Sequence, residues 1–235
     1  MSIPNKELHY ETVTPLLRHI LDTLMASELF NPFRLVGGTN LSLRYGHRQS
    51  IDIDLFTDAE YGSLSFNAFE KFLKENFNYY ECNDKTSIVG FGRGYYIGNS
   101  PDEYVKLDLM YTDPFLEEPE LVDGIRLATV KDIVAMKMNV ISRGGRKKDF
   151  WDIHMLSNSF SLSEMFDLHS KRYEWEHDSE ELMDMFTNFD VANSEINPIC
   201  LLNKDWDEIK LDLTDIATNY KKGDSIKECV KEPQK

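Results

Sequence analysis

RLVGGTNLSLRYGHRQSIDIDLFT, residues 34–57, is the stretch that decides the fold of the N-terminal half. The apolar run Phe33–Val36 predicts a short strand that leads directly into Gly37–Gly38. The pattern after the glycines predicts the first turns of a helix over 39–45, with Thr39 as its N-cap. A strand, a glycine turn and a helix are therefore expected to follow one another without a long loop.

A second strand is predicted over residues 51–56, where apolar and acidic side chains alternate. Because successive residues of a strand point to opposite faces, Asp52 and Asp54 share one face, about 6.5–7 Å apart along the chain. Carboxylates this close repel each other unless a cation lies between them, and Mg²⁺ prefers oxygen ligands of this kind. The alternative is an edge strand whose polar face simply points to solvent.

The glycine turn adds a second chemical signal. At the start of a helix, Gly37 and Gly38 expose backbone N–H groups at the positive end of the helix dipole, where a phosphate binds. Thr39 adds a hydroxyl group at the same place. Such a turn alone is equally consistent with a simple tight connection. Combined with the acidic strand it predicts nucleotidyl transfer, in which one element holds a triphosphate and the other holds Mg²⁺.

Residues 37–56, GGTNLSLRYGHRQSIDIDLF, resemble the first motif of the DNA-polymerase-β-like nucleotidyltransferases, and more narrowly the AbiEii/AbiGii toxin family. The narrower likeness depends on the whole run, including Arg48 and Ser50. The resemblance implies that these two residues bind the nucleotide together with the Gly-Gly-Thr turn. The family commonly has alanine where this chain has Asn40, and the likeness extends over about residues 30–157.

The resemblance also implies a third carboxylate on a later strand. EYVKLDLMY, residues 103–111, is predicted to be that strand, and alternation places Asp108 on the face opposite the apolar residues. An ordinary exposed strand aspartate is the alternative interpretation. Asp113 is a further candidate, in a turn after the strand. The resemblance thus implies Asp52, Asp54 and Asp108 as metal ligands, with Asp108 also activating the incoming hydroxyl group.

A helical lysine is the next feature that the resemblance singles out. Lys137 lies four residues from both Ile133 and Ile141, on the apolar stripe of a predicted helix. A lysine on a buried face is costly unless its ammonium meets an anion. One interpretation is that the ammonium reaches solvent from the helix edge. The resemblance favours the other, in which Lys137 contacts the triphosphate and stabilises charge during transfer.

The segment KDFWD, residues 148–152, places Asp149 and Asp152 on one helix face at i,i+3. Because Asp149 is near the start of the predicted helix, helix capping is an alternative to a catalytic role. The resemblance implies that one of the two aspartates orients Lys137 or acts as a base. The sequence does not separate them, so both are catalytic candidates.

The chain is predicted to have an α+β fold, with a small mixed nucleotidyltransferase sheet, flanking helices and a helical C-terminal region. We expect a nucleotidyltransferase domain over 1–120 and a helical domain over 121–235 that completes the active-site cleft. A long first helix is predicted over 7–29. A hairpin is predicted over 87–99, with its turn at Gly92–Gly94.

Composition narrows the functional class. The formal net charge of −15 at pH 7 argues against a general nucleic-acid coat protein. A local group of basic residues could still bind an RNA backbone, bind the triphosphate or balance acidic helices: Arg126, Lys131, Arg143, Arg146, Lys147 and Lys148. Three cysteines suit a reducing compartment, and no stretch reaches membrane-spanning length. The expectation is a soluble cytoplasmic protein with no membrane partner.

The resemblance implies an enzyme that transfers an NMP from an NTP to a macromolecular acceptor, either a tRNA 3′ end or a protein hydroxyl group. Two Mg²⁺ ions are the implied cofactors. It further implies a toxin of a type IV toxin–antitoxin or abortive-infection pair, with a cognate antitoxin as partner. The alternatives are a small-molecule nucleotidyltransferase of the antibiotic-modifying kind and a catalytically silent nucleotide-binding fold.

Overall fold

A computed structural model describes residues 7–82, 90–176 and 179–231, with side chains described as far as residue 222. The first three residues of the predicted hairpin, 87–89, lie outside the described residues. Within these ranges, no helix is both long and apolar enough to cross a membrane.

The chain divides into two compact units, Met1–Ile133 (unit 1) and Val134–Lys235 (unit 2). All strands of the described chain lie in unit 1, and the described part of unit 2 is helical, so the predicted α+β fold is confirmed. Two short strands, Glu120–Val122 and Ile125–Leu127, pair with each other and extend the sheet. The sheet therefore continues past residue 120, where the sequence placed the end of the first domain.

Unit 1 is built on one mixed sheet. Its strands are β1 Arg34–Leu35, β2 Asp52–Thr57, β3 Tyr79–Cys82, β4 Gly92–Ser100, β5 Glu103–Tyr111, β6 Glu120–Val122 and β7 Ile125–Leu127. They lie in the order β3-β4-β5-β2-β1-β7-β6. β2 is parallel to β5 and β1 is parallel to β7, whereas the other neighbours are antiparallel. The predicted strands β1, β2 and β5 are confirmed.

Among the described residues of unit 1, three α-helices lie wholly within it and a fourth begins there. They are α1 Pro15–Ala26, α2 Gly37–Tyr45, α3 Phe66–Asn76 and α4 Val130–Ser142. The first is shorter than the helix predicted over 7–29, because Thr14 caps it and Pro15 occupies its first position. Short 3-10 turns flank it on both sides. α2 is the predicted helix after the glycine turn.

The core of unit 1 lies on the apolar face of the central strands. Ile53 and Leu55 on β2 are fully buried, as are Leu107 and Leu109 on β5. Helix α1 contacts β2, β5 and β7 and covers this face. Since residues alternate along a strand, burying the apolar face leaves the acidic residues of β2 and β5 on the opposite side of the sheet.

The predicted hairpin turn at Gly92–Gly94 is wrong. These residues begin β4, which pairs with β5 from Gly92 opposite Met110 onward. A side chain at Gly92 would collide with the backbone carbonyl of Leu109. The glycine therefore permits close approach of two strands instead of forming a turn, a distinction that the sequence pattern does not carry.

The described part of unit 2 contains the rest of α4 and five further helices. They are α5 Lys147–Leu156, α6 Leu162–Arg172, α7 Ser179–Phe186, α8 Asp190–Asn193 and α9 Trp206–Lys231. Helix α9 contacts α5, α6 and α7. Aromatic rings join these helices: Phe150 packs edge-on against Phe189 at 5.0 Å, and Trp151 stacks on Trp206 at 6.2 Å between ring centroids. Aromatic residues of α5 and α9 therefore contribute to the core of unit 2, together with buried aliphatic residues such as Leu156, Leu182 and Leu213.

Candidate active site

The glycine turn brings the start of α2 against β2. Gly37 has a φ of 68°, a conformation that glycine adopts without steric cost. A side chain added at Gly37 would collide with the Asp54 carboxylate, so the backbone and the acid lie in direct contact. The Val36 N–H donates to the carbonyl oxygen of Asp54 at 2.9 Å. The predicted phosphate-binding turn and the predicted metal-binding strand are therefore adjacent.

Thr39 and Ser50 are buried beneath this turn. The predicted N-cap role of Thr39 is wrong, because Val36 occupies the N-cap position and no side chain caps the helix. The Thr39 hydroxyl instead donates to the carbonyl oxygen of Asp52 and lies 2.8 Å from the Ser50 hydroxyl. The Thr39 hydroxyl therefore joins α2 to β2 and to Ser50 just before that strand, and contact of either side chain with a phosphate stays a prediction.

The guanidinium of Arg48 packs against Gly38, the second glycine of the turn. It occupies the space that a side chain at Gly38 would need. The residue is 3% exposed, and its guanidinium donates to the carbonyl oxygen of Gln49 at 3.0 Å. A fixed positive charge is thus built into the first turn of α2, where the helix dipole already favours anions.

Asn40 secures α2 from its buried side. Its amide donates to the carbonyl oxygens of Leu35 at 2.8 Å and Ala128 at 3.0 Å. Its carbonyl accepts a hydrogen bond from Arg44 at 2.8 Å. Since Leu35 and Ala128 belong to neighbouring segments of the sheet, Asn40 ties the helix to two of them. An alanine at this position could not make these bonds.

The three predicted carboxylates share one face of the sheet. Asp54 on β2 lies directly opposite Asp108 on β5, and Asp52 precedes Asp54 by two residues on the same face. All three are partly buried, with 16% of the Asp108 side chain exposed. The parallel pairing of β2 and β5 is what brings them together. Asp113, by contrast, is exposed beyond the end of β5.

A lysine that the sequence did not single out completes this acidic face. Lys106 lies opposite Asp52 in the β2–β5 register, and its ammonium contacts the Asp108 carboxylate at 2.5 Å. Burial lowers the pKa of Lys106, but the hydrogen bond to Asp108 and the charges of Asp108, Asp54 and Asp52 outweigh it and raise that pKa. The sequence shows that Lys106 lies two residues before Asp108 and so on the same face of the strand. Its position opposite Asp52 is known only from the strand register.

The family and the acidic face both imply a divalent metal, and the donor set fits one. Asp52, Asp54 and Asp108 supply only carboxylate oxygens, the ligands that hard cations prefer. Among the described residues, no three acidic, histidine or cysteine side chains are already arranged closely enough to hold a metal ion.

Lys137, Asp149 and Asp152 form a second group of charges, within unit 2. The Lys137 ammonium lies 2.6 Å from Asp149 and 2.7 Å from Asp152, and all three side chains are buried. Asp149 also accepts the backbone N–H of Arg146 at 3.1 Å, so it caps α5 as well. The structure therefore brings together the predicted lysine and both predicted aspartates, and it gives Asp149 the capping contact too.

The net pKa of Asp149 reflects two opposing effects. Burial raises the pKa of this carboxyl, because a charged group loses hydration in the interior. The charge and hydrogen bond of Lys137 lower it and prevail, so the pKa lies below its ordinary value of 3.8. Asp149 is thus held ionised against the lysine, which keeps the Lys137 ammonium at one place.

The basic residues noted in the sequence mostly have local partners. Arg126 donates to the carbonyl oxygens of Phe33, Met25 and Phe30. Lys131 pairs with Glu117 at 2.6 Å. Ionic or hydrogen-bonding partners also exist for Arg143, Arg146 and Lys147. This distribution favours the interpretation that the basic residues balance nearby acidic groups and carbonyls.

With this geometry in place, comparison with known proteins decides the family. A family model described as the nucleotidyl transferase AbiEii toxin of type IV toxin–antitoxin systems matches residues 19–225. The chain belongs to the AbiEii family. The match runs through the glycine turn, the acidic strands and the lysine–aspartate group, and it continues well beyond residue 157, where the likeness seen in the sequence ended.

Individual relatives agree with this assignment. An uncharacterized protein from Aquifex aeolicus (strain VF5) is 33% identical over 161 residues, covering 66% of this chain and 73% of its own. JHP933 from Helicobacter pylori has a similar fold, with a TM-score of 0.52 and 19% identity, covering 92% and 95% of the two chains. MenT4, a nucleotidyltransferase toxin of Mycobacterium tuberculosis H37Rv, matches with a TM-score of 0.58 and 12% identity, covering 86% and 81%.

As an AbiEii member, the protein is a nucleotidyltransferase of the toxin class. Membership implies an NTP as substrate and a cognate antitoxin as partner. The predicted family, enzyme class and fold are confirmed. The roles of individual site residues and the identity of the acceptor stay predictions.

Proposed function

We propose that this AbiEii protein transfers an NMP from an NTP to a hydroxyl group of a macromolecular acceptor in the cytoplasm, in a Mg²⁺-dependent reaction that inhibits growth. The observation that supports this most directly is the contact of the Gly37 turn with Asp54, which in turn lies opposite Asp108. A phosphate held at the start of α2 would thereby lie beside three carboxylates.

Asp52, Asp54 and Asp108 would hold two Mg²⁺ ions, which when bound supply positive charge to the triphosphate and lower the pKa of a coordinated hydroxyl group. The backbone N–H groups of Gly37 and Gly38 would bind phosphate oxygens at the positive end of α2. Arg48, with its guanidinium on Gly38, adds charge at the same place. Ser50 and Thr39 keep the turn joined to β2.

In this proposal the chain's own groups position the reaction and move its protons. Asp108 accepts the proton of the acceptor hydroxyl as its oxygen attacks the α-phosphorus, and pyrophosphate is the leaving group. Lys137 supplies charge for the phosphate oxygens, and Asp149 and Asp152 hold its ammonium in place. A lysine oriented by two carboxylates loses less conformational freedom when it meets an anion than a mobile one does.

The test is incubation of the protein with each α-³²P-labelled NTP, Mg²⁺ and a bacterial cell extract. We expect one NTP to label a macromolecule, and loss of the label with ribonuclease or with protease distinguishes a tRNA acceptor from a protein acceptor. Asp54→Asn serves as the inactive control. If wild type labels nothing with any NTP, or if Asp54→Asn labels equally well, the proposed reaction is wrong.

A further inference from the structure

Lys106 occupies an unusual position for a lysine on the sheet. It projects from the same face of β5 as Asp108 and lies directly opposite Asp52 on β2. Its ammonium contacts Asp108 at 2.5 Å, with 38% of the lysine side chain and 16% of the aspartate side chain exposed. Lys106, Asp52, Asp54 and Asp108 therefore form a four-residue acidic square (this name is kept below), with three carboxylates and one ammonium.

Electrostatics explains why a cation is needed there in the free protein. Three ionised carboxylates on two adjacent strands repel one another, and repulsion of this kind destabilises a sheet. The Lys106 ammonium lies on this face in contact with Asp108 and opposite Asp52, so its positive charge opposes the repulsion. The acidic square thus contains its own positive charge.

We propose that Lys106 is an internal counter-cation, which neutralises the acidic square while no metal is bound and competes with divalent ions for Asp108. This inference rests on the proposed function, because it takes the three carboxylates as the metal ligands. A bound metal would need the Asp108 carboxylate oxygen that the Lys106 ammonium contacts in the free protein. The affinity of the free protein for a divalent ion is consequently held down by the lysine.

Two opposite effects of removing the ammonium follow from this competition. Without the lysine charge, repulsion within the metal-free square is stronger, so the metal-free protein is less stable. The same change frees Asp108, so a divalent ion binds more tightly. A lysine that merely supports the strand would produce the first effect without the second.

The experiment uses the full chain with Mn²⁺ as the probe and without nucleotide. Wild type, Lys106→Met and Lys106→Gln are compared by isothermal titration with MnCl₂ and by thermal melting in EDTA and in Mn²⁺. Lys131→Met is the matched control, since Lys131 forms an exposed pair with Glu117 at 2.6 Å and lies on α4, not on β2 or β5. Transfer activity of wild type is measured in parallel.

We expect both Lys106 variants to melt at a lower temperature than wild type in EDTA, and to bind Mn²⁺ roughly threefold to tenfold more tightly, the scale of a partly exposed ion pair acting on a divalent charge. The Lys131 variant should match wild type in both measurements. Variants that fold only with Mn²⁺ also support the proposal. Equal or weaker Mn²⁺ binding, undetectable binding by every variant, or failure to fold even with Mn²⁺ overturns it.

The same experiment distinguishes failure of the proposed reaction from failure of the counter-cation proposal. If the Lys106 variants bind Mn²⁺ more tightly but wild type transfers no nucleotide, the counter-cation stands and the reaction is wrong. If wild type transfers nucleotide but Lys106→Met binds Mn²⁺ no more tightly, the reaction stands and the counter-cation is wrong.

Discussion

Asp54 lies opposite Asp108 on the parallel strands β2 and β5, and its carbonyl oxygen accepts the Val36 N–H at 2.9 Å. One residue therefore connects the strand pair that carries the carboxylates with the turn that starts α2. Its side chain contacts Gly37 as well. Because these contacts converge on one residue, a change on either side is expected to affect both phosphate and metal binding.

The first prediction concerns that residue. Asp54→Asn keeps the size of the side chain but removes a ligand charge, so the fold should persist while transfer falls by roughly 100-fold or more. In wild type, Mg²⁺ and an NTP together should raise the melting temperature more than either alone, because each completes the site of the other. That joint increase should largely disappear in the variant, as thermal melting will show.

Asp102→Asn provides the control, since Asp102 is exposed in the turn between β4 and β5. It should transfer and melt as wild type does. Wild-type transfer by Asp54→Asn would show that the carboxylate charge is not used in the reaction.

A second prediction separates backbone strain from contact with the acid. Gly37→Ala and Gly62→Ala both place a side chain at a positive φ, 68° and 80°, and each should lose roughly 1 kcal/mol or more of unfolding free energy. Only the side chain at residue 37 meets the Asp54 carboxylate, because the position at Gly62 faces open space. Transfer should therefore fall strongly in Gly37→Ala alone. If the two variants transferred nucleotide equally well, the close approach of Gly37 to the Asp54 carboxylate would not be needed for the reaction.

Much of the fold could be predicted from local patterns. The alternation of residues 51–56 and 103–111 predicted two strands and the correct acidic face of each, because the period of a strand is independent of its partners. The Gly-Gly pattern predicted a helix directly after β1, although α2 begins at Gly37, two residues before the predicted start. These features depend on neighbours in the sequence, and the structure confirms them.

Features that depend on pairing could not be predicted. The importance of Lys106 follows from the register that sets it opposite Asp52, and a single sequence does not contain that register. The glycine pattern at Gly92 and Gly94 predicts a turn. The sequence does not show that β5 lies close to Gly92, because that contact is tertiary. Similarly, the sequence predicts that Thr39 caps the helix, whereas its hydroxyl donates to the Asp52 carbonyl oxygen on β2, a tertiary contact.

A third prediction follows from the burial of Lys137. On the sequence alone, Lys137→Met is expected to leave the free protein at least as stable as wild type, because the apolar stem is kept. The contacts with Asp149 and Asp152 reverse that expectation, because the variant leaves two buried carboxylates without their cation. We expect a loss of about 3–5 kcal/mol in unfolding free energy, measured by urea denaturation.

The triple variant Lys137→Met, Asp149→Asn, Asp152→Asn tests whether this loss comes from the two carboxylates that no longer face the Lys137 ammonium. It should recover part of the lost stability, since the uncompensated charges are gone. It should nevertheless remain inactive if Lys137 also serves the triphosphate. Recovery of transfer together with stability would show that the group is structural only.

The last prediction is the pH dependence that Asp149 imposes. Lys137 holds the pKa of Asp149 below its ordinary value of 3.8, so the folded state favours the ionised acid more than the unfolded state does. The stability from this preference is fully present above that ordinary value and is lost as pH falls through the lowered folded pKa.

The variant Asp149→Asn has no ionisable carboxyl group at this position, so it lacks this pH dependence. Urea denaturation between about pH 7 and pH 3 should therefore show the variant less stable near neutrality and the gap from wild type narrowing in acid, whereas Asp102→Asn should follow wild type throughout. A gap that widened as pH fell would mean that the protonated form of Asp149 is the one bound by its partners, and the pairing with Lys137 would have to be abandoned.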